Sequence, residues 1–399
     1  MFVYLDNGST TKQDESVIEK MLRYMENDFG NPSSLHGMGL TAEKAVKEAR
    51  HEVAAAVGFS DEEVYFTSGG TEAANMAIFG AAMARKKRGN KIITSKVEHP
   101  AVYESCKKLE QMGFEVVYIG VDDKCRLNME ELRSHIDEKT ILISVMTVNN
   151  EVGTVMPINE ILEAKKLGGM KNTDVIFHTD AVQSLGKIPV GSNACQTRNA
   201  DIVTVSSHKI HGPKGVGAIA VRKGITLEQL VFGGGQEKNL RSGTENVAGI
   251  AGFGEAAKIV TEHLMGRAVL VAKARSYLLN GIKAEIKDIK INSFEEANIA
   301  GESGYCSPAI LNISFLGTRG EVILHGLESE NIYVSTGAAC SSNKKSKNRT
   351  LTAMGLSDKE IEGTLRFSLS VFNSEKQMDY VLVKLKEQVE RFRKLGSFR

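Results

Sequence analysis

Asp201-Ile202-Val203-Thr204-Val205-Ser206-Ser207-His208-Lys209-Ile210-His211-Gly212-Pro213-Lys214-Gly215-Val216-Gly217 is the stretch around which the chain is organised. Its β-branched run, Ile202 to Val205, predicts a buried strand, and the glycines and proline that follow turn the chain away. Lys209 then stands at the mouth of that strand among hydroxyls, a histidine and glycines. Burial lowers a lysine pKa, and the neutral amine is the form that attacks carbonyls. Upstream, Val175-Ile176-Phe177-His178 predicts a second strand, ending in Thr179-Asp180-Ala181-Val182-Gln183. A surface lysine in a turn would be the plain reading of Lys209 alone. A carboxylate after one strand and a lysine after a nearby one instead fit a site for pyridoxal phosphate (PLP). There the lysine bonds to the cofactor aldehyde and the aspartate holds the pyridinium proton.

The 399 residues exceed one average domain, so two lobes are expected. Lys+Arg 50 against Asp+Glu 49 gives no overall pull toward nucleic acid or a membrane surface. An apolar share of 42% with mixed charge describes a packed globular chain rather than a disordered one. The five cysteines, 106, 125, 195, 306 and 340, lack CxxC spacing, which argues against a disulfide framework or a zinc site and for a reducing cytosol. The N-terminus reads as neither a secretory leader nor a membrane span. A cytoplasmic location is expected, with no metal, no direct nucleic-acid binding and no membrane contact.

Strands are predicted at Phe2–Leu5, Glu63–Thr67, Lys91–Ser95, Glu115–Ile119 and Ile141–Thr147. Helices are predicted over Glu15–Asn27, Thr41–Val57, Ala73–Arg85, Ala101–Met112 and Ile158–Leu167, and this alternation implies a mainly parallel sheet covered on both faces. His36, in the break between the first two helices, reads as a cap or turn residue. Ser68-Gly69-Gly70-Thr71 before a helix forms an anion site, with free N–H groups at the positive dipole end. His99, Asn150, Asp180 and Lys209 also fall just after predicted strands, where open α/β sheets place ligands. A long helix from Asn246 to Ile286 would cross into a second lobe. That lobe would hold strands at Ile310–Phe315 and Ile332–Ser335 and helices at Ser357–Thr364 and Ser374–Lys394.

Taken together, these motifs resemble the NifS/IscS-type cysteine desulfurases. The resemblance runs from Tyr4-Leu5-Asp6-Asn7 through Asn31-Pro32-Ser33-Ser34-Leu35-His36, Thr67-Ser68-Gly69-Gly70-Thr71-Glu72 and Glu98-His99. It continues through Asn149-Asn150-Glu151, Asp180-Ala181-Val182-Gln183, Ser206-Ser207-His208-Lys209, Arg241-Ser242-Gly243-Thr244, Ala339-Cys340 and Arg366-Phe367-Ser368. It implies the α/β fold of PLP-dependent transferases of fold type I. A large domain (13–255) would carry a mainly parallel seven-stranded sheet, and a smaller α+β domain (1–12 and 256–399) would carry the catalytic cysteine loop.

The resemblance also assigns roles. Lys209 would bond PLP, Asp180 would pair with the ring nitrogen, and Gln183 would contact the phenolic oxygen. His99 would stack on the ring and shuttle protons. Gly70, Thr71, Ser206 and His208 would hold the phosphate, joined by Thr244 from the partner subunit of a homodimer. Asn150 and Arg366 would bind the carboxylate of the substrate, L-cysteine. Cys340 would take the sulfur as a persulfide and pass it to an acceptor protein for iron–sulfur cluster assembly or tRNA or cofactor thiolation. The alternatives are a selenocysteine lyase or another fold type I aminotransferase. Lys344, Lys345, Lys347 and Arg349 beside Cys340 read either as a solvated loop or as a docking patch for an acidic acceptor.

Overall fold

A computed structural model of the chain describes residues 1–168, 175–189, 197–297, 299, 306–336 and 348–396. Its main sheet has seven strands, in the order Val64–Thr67, Gly217–Val221, Ile202–Ser206, Ile176–Asp180, Thr140–Ser144, Lys91–Ser95 and Glu115–Ile119. Every ladder is parallel except those of Gly217–Val221, which runs against both neighbours. The sequence reading missed this strand. Its link from Lys209 is too short for a helical crossover, so the chain returns antiparallel. The central strands are buried along their whole length because helices cover both faces. On one face the helix Gly70–Arg85 lies close to the sheet through Ala73, Ala74, Ala77 and Ala81. On the other, Val53, Phe66, Val203 and Phe253 share the largest core.

The helix expected over Asn246–Ile286 is divided at His263 into Val247–Glu262 and Leu264–Glu285. The reason is packing. Ile250, Phe253, Ala257 and Val260 belong to the large core, whereas Val271, Leu278, Leu279 and Ile282 belong to a second one. No straight rod keeps one apolar face in both cores.

That second core covers an antiparallel sheet ordered Ser335–Thr336, Thr364–Ser368, Ile310–Phe315 and Ile289–Ile291. The strand expected at Ile332–Ser335 is shared between sheets, since Ile332–Tyr333 pairs in parallel with Val3–Tyr4. The expected helix Ser357–Thr364 stops at Glu362, and Thr364–Ser368 continues as a strand. Two short helices, Met129–His135 and Gly320–Glu328, were also not anticipated.

The N-terminal segment ties the two cores together. Ser368 N–H donates to the Leu5 carbonyl at 2.6 Å, and both Thr11 N–H and Thr11 Oγ1 donate to the His208 carbonyl. The strand of Arg366 is thereby tied to the turn of Lys209.

Candidate active site

Lys209 lies in the one-turn helix Ser207–Lys209 at the end of its strand. Its Nζ donates to the carbonyls of Gly8 and Ser9 at 2.6 and 2.7 Å. Burial, and then the nearby Arg366 cation, push its pKa down to about 8. Asp180 ends the adjacent strand, and its Oδ1 accepts from Val182 N–H at 2.9 Å. Burial raises the pKa of this carboxyl, opposed by His99 and Lys209. A cationic ring nitrogen is the kind of group such a carboxylate needs in order to stay ionised.

His99 caps the helix Pro100–Gln111, its Nδ1 accepting from Ala101 N–H at 3.2 Å. Its pKa is lowered by burial, with Asp180 pulling the other way. With Nδ1 accepting, the proton of the neutral ring sits on Nε2. Outside the site, His36 is a cap as expected, its Nδ1 accepting from Gly39 N–H at 3.3 Å.

The helix expected from Ala73 begins at Gly70, so Thr71 falls within its first turn and the dipole end faces the site. A Cβ on Gly70 would come within 3.3 Å of the Ser206 Cβ, so the helix end and the Ser206 strand close on one another. His208 bonds Thr10 Oγ1 at 3.1 Å, and burial pushes its pKa down to about 4. Before an anion binds it is therefore neutral, and a bound anion would raise its pKa.

Arg366 reaches in from the smaller sheet. Its Nη1 donates to the Asn150 carbonyl at 2.9 Å, and its Nη2 to Ser9 Oγ at 2.9 Å and Asp6 Oδ1 at 3.1 Å. Its buried Nε has no partner. An unpaired buried N–H on a guanidinium is costly, and a ligand carboxylate in the cleft would satisfy it. Asn150 lines the same cleft, and its side-chain amide donates to Glu151 Oε1 at 3.2 Å. Gln183 Nε2 donates to the Gly8 carbonyl at 2.9 Å.

One cleft of about 380 Å³ is lined by Gly70, Thr71, His99, Asn150, Asp180, Gln183, Ser206, His208, Lys209 and Arg366. Gly8, Ser9, Met146, Val148 and Val182 complete it, and these the sequence reading passed over. Asn7-Gly8 is a turn dipeptide, but nothing local places it against Lys209. Gly8 is needed there because an added Cβ would lie 2.7 Å from Ser368 Oγ and 3.4 Å from the Arg366 guanidinium carbon. Thr244 is exposed and does not line the cleft of its own chain. Cys340, Lys344, Lys345 and Lys347 lie outside the described residues.

Arg349 is no free docking cation. It donates to the carbonyls of Lys96 and Glu98 and lies 3.7 Å over the Tyr103 ring. A guanidinium fits two carbonyls and a ring face better than it fits bulk water. That part of the docking-patch reading is therefore corrected, and Arg349 anchors the chain beside His99.

These residues suit PLP. A buried carboxyl, an amine of lowered pKa and a helix N-terminus with hydroxyls surround a cavity of the right order for a small cofactor. A spare arginine N–H remains for a substrate carboxylate.

Over residues 3–381 the chain matches the family described as Aminotransferase class-V. It is 39% identical over 397 residues to the cysteine desulfurase IscS of Dictyoglomus turgidum, covering all of this chain and 97% of that protein. It is 41% identical over 397 residues to a cysteine desulfurase of Nostoc sp., covering 95% of that protein. Among solved structures it resembles a NifS-like protein at 38% identity, with a TM-score of 0.88 over 97% of this chain and 99% of the other. A structure described as SspA in complex with cysteine is 30% identical, with a TM-score of 0.77 over 93% of this chain and 100% of the other.

Proposed function

The chain belongs to the Aminotransferase class-V family and is a PLP-dependent cysteine desulfurase, and from that premise we propose how its residues divide the work. The observation that carries the reading is the convergence of Lys209, Asp180 and Arg366 on one cleft. PLP, when bound, supplies an electron sink for the electrons left when a proton departs from the substrate Cα. Asp180 keeps the ring nitrogen protonated. Lys209, with its pKa near 8, holds PLP and then carries the Cα proton. Arg366 and Asn150, which both line the cleft, orient the substrate carboxylate. Gly70, Thr71, Ser206 and His208 receive the phosphate.

Cys340 is the proposed nucleophile. Its thiolate attacks the substrate sulfur, an S–S bond forms and the substrate Cβ–S bond breaks; the electron pair of that bond stays with the carbon, which takes up a proton to become the methyl group of the departing alanine. Three other cysteines are poor candidates because burial raises their thiol pKa values: Cys106 to about 12, Cys125 well above the usual value, and Cys306 upward. Although Cys340 lies outside the described residues, the chain on both sides of it is tethered near the cleft. Ser335 pairs with Arg366, and Arg349 docks beside His99.

A second copy of the chain is the proposed partner. Met25, Phe29, Leu35 and Phe232 are exposed apolar side chains, and Thr244, exposed and outside the cleft of its own chain, would serve a neighbour's phosphate site. The persulfide then passes to an acceptor protein in the cytoplasm.

Wild type incubated with L-cysteine should release alanine and carry alkylatable persulfide on Cys340. Cys340→Ser should keep bound PLP and lose both products. A keto acid product would favour an aminotransferase instead, and persulfide mapped to Cys195 would move the nucleophile.

A further inference from the structure

The Gln183 amide is held at both ends. Its Nε2 donates to the Gly8 carbonyl at 2.9 Å, and its Oε1 accepts from Lys187 Nζ at 2.8 Å. The same Gly8 carbonyl accepts from Lys209 at 2.6 Å. Contacts thus run without a break from Lys187 through Gln183 and Gly8 to Lys209.

Lys187 is expensive where it stands. Among the described residues its ammonium has no carboxylate partner. Burial, and then the Lys209 and Arg366 cations, push its pKa down to about 7. A partly buried cation without a counter-charge costs stability, and an apolar side chain would fill the same space without that cost. What the lysine adds is direction. The protonated side chain has donors and no acceptor, and the neutral amine still keeps two N–H donors, so an amide oxygen facing it finds a donor in either form. The Gly8 carbonyl only accepts, so the atom facing it is nitrogen. The amide is thereby fixed in one of its two orientations, with its NH₂ on the Gly8 side and its oxygen engaged away from it.

We propose that Lys187 is a positioning residue that locks the Gln183 amide so that an N–H donor, and not a carbonyl oxygen, is offered to an oxyanion bound in the cleft. One N–H is committed to Gly8, and the second is free. The oxyanion it would serve is the ring oxygen of PLP, so the proposal rests on the cofactor reading above. Without Lys187 the amide oxygen loses its partner, and an amide turned over would set a carbonyl against a negative oxygen.

The test uses the full chain as wild type, Lys187→Met, Lys187→Arg and Gln183→Glu. In cofactor-free protein with nitrogen-15 glutamine, the Gln183 side-chain N–H pair should exchange slowly with water. The Lys187→Met exchange rate should rise at least tenfold, and Lys187→Arg should stay near wild type. With PLP loaded, the apparent pKa of the visible absorption band should rise in Lys187→Met, because an oxyanion without its donor binds a proton more tightly. Gln183→Glu keeps the Lys187 contact but loses the donor and sets a carboxylate oxygen against the Gly8 carbonyl, so it should shift the band in the same direction and melt below wild type. Lys187→Leu, read by the same two measurements, decides the matter if Lys187→Met does not fold. Unchanged exchange and band in a folded Lys187→Met overturn the proposal. So does an equal shift in Lys187→Arg, because donor and charge would then be irrelevant. If wild type took up no PLP, the cofactor reading would fail, while the exchange measurement would still judge the lock.

Discussion

The Nζ of Lys209 lies 2.6 Å from the carbonyl oxygen of Gly8, a residue 201 positions earlier in the chain. The amine is held by backbone carbonyls of a turn that also touches Arg366 through Ser9 Oγ and Asp6. Carbonyls hold the ammonium without neutralising it, so Lys209 can be released as a nucleophile when a carbonyl ligand arrives. A carboxylate in the same place would have raised its pKa and kept it charged.

The rate at which cofactor-free protein captures PLP should therefore rise as pH increases through about 8, where Lys209 becomes the neutral amine. An unperturbed lysine would show that rise near pH 10.4. Stopped-flow absorbance across this range checks the midpoint. Lys209→Ala should form no borohydride-reducible bond, and a pyridoxyl label mapped to another lysine would contradict the assignment.

Asp180→Asn should act with opposite sign on the empty and loaded protein. Burial raises the Asp180 pKa, so the folded empty site favours the protonated acid, and that stabilisation is lost as pH rises above the unfolded value. The neutral amide removes this loss, and thermal melts of cofactor-free protein at pH 8 should be equal to or above wild type. PLP affinity should fall by tenfold or more, about 1.4 kcal/mol, because the ring cation loses its counter-charge.

Arg366→Lys is not a conservative change. One ammonium cannot reach the Asn150 carbonyl, Ser9 Oγ and Asp6 while also offering a free N–H to a carboxylate. KM for cysteine should rise by about 10-fold or more with PLP still bound. Arg366→Ala should in addition raise the Lys209 pKa, since the Arg366 cation is among the causes that depress it. The pH midpoint of PLP capture should then move upward.

Thr244→Ala should weaken PLP binding by about 0.5–3 kcal/mol if its hydroxyl completes the phosphate site of a second copy. Leu35→Glu combined with Phe232→Glu should shift the sedimenting species toward monomer, since these exposed apolar residues would be unburied by dissociation. Full activity in a species that sediments as a monomer would end the dimer reading.

Much of the main sheet was legible because its strands are apolar runs closed by turn residues. Lys91–Ser95, Glu115–Ile119 and Ile310–Phe315 fall at their expected bounds. Asp180 and Lys209 were legible for the same reason, as polar groups at the ends of such runs. The strand Gly217–Val221 was not, since a small-residue run after a glycine turn carries little local signal. The break at His263 was equally hidden, because both helices have helical periodicity and differ only in the core they enter.

What the amino-acid sequence determined by itself is therefore the set of strand-end groups, because burial periodicity and turn chemistry are local. The tertiary structure alone decided what those groups touch. Gly8 and Ser9 against Lys209, Gly8 against Gln183, and Arg349 against the Glu98 carbonyl are contacts set by how separate elements pack. The donors and acceptors in them carry no distinguishing mark along the chain. Arg349 shows the difference most plainly. In the sequence it stands in a basic run near Cys340, and in the fold its charge is turned inward onto the Lys96 and Glu98 carbonyls. Left unpaired, the carbonyl of the buried Glu98 would carry a desolvation cost that the guanidinium removes.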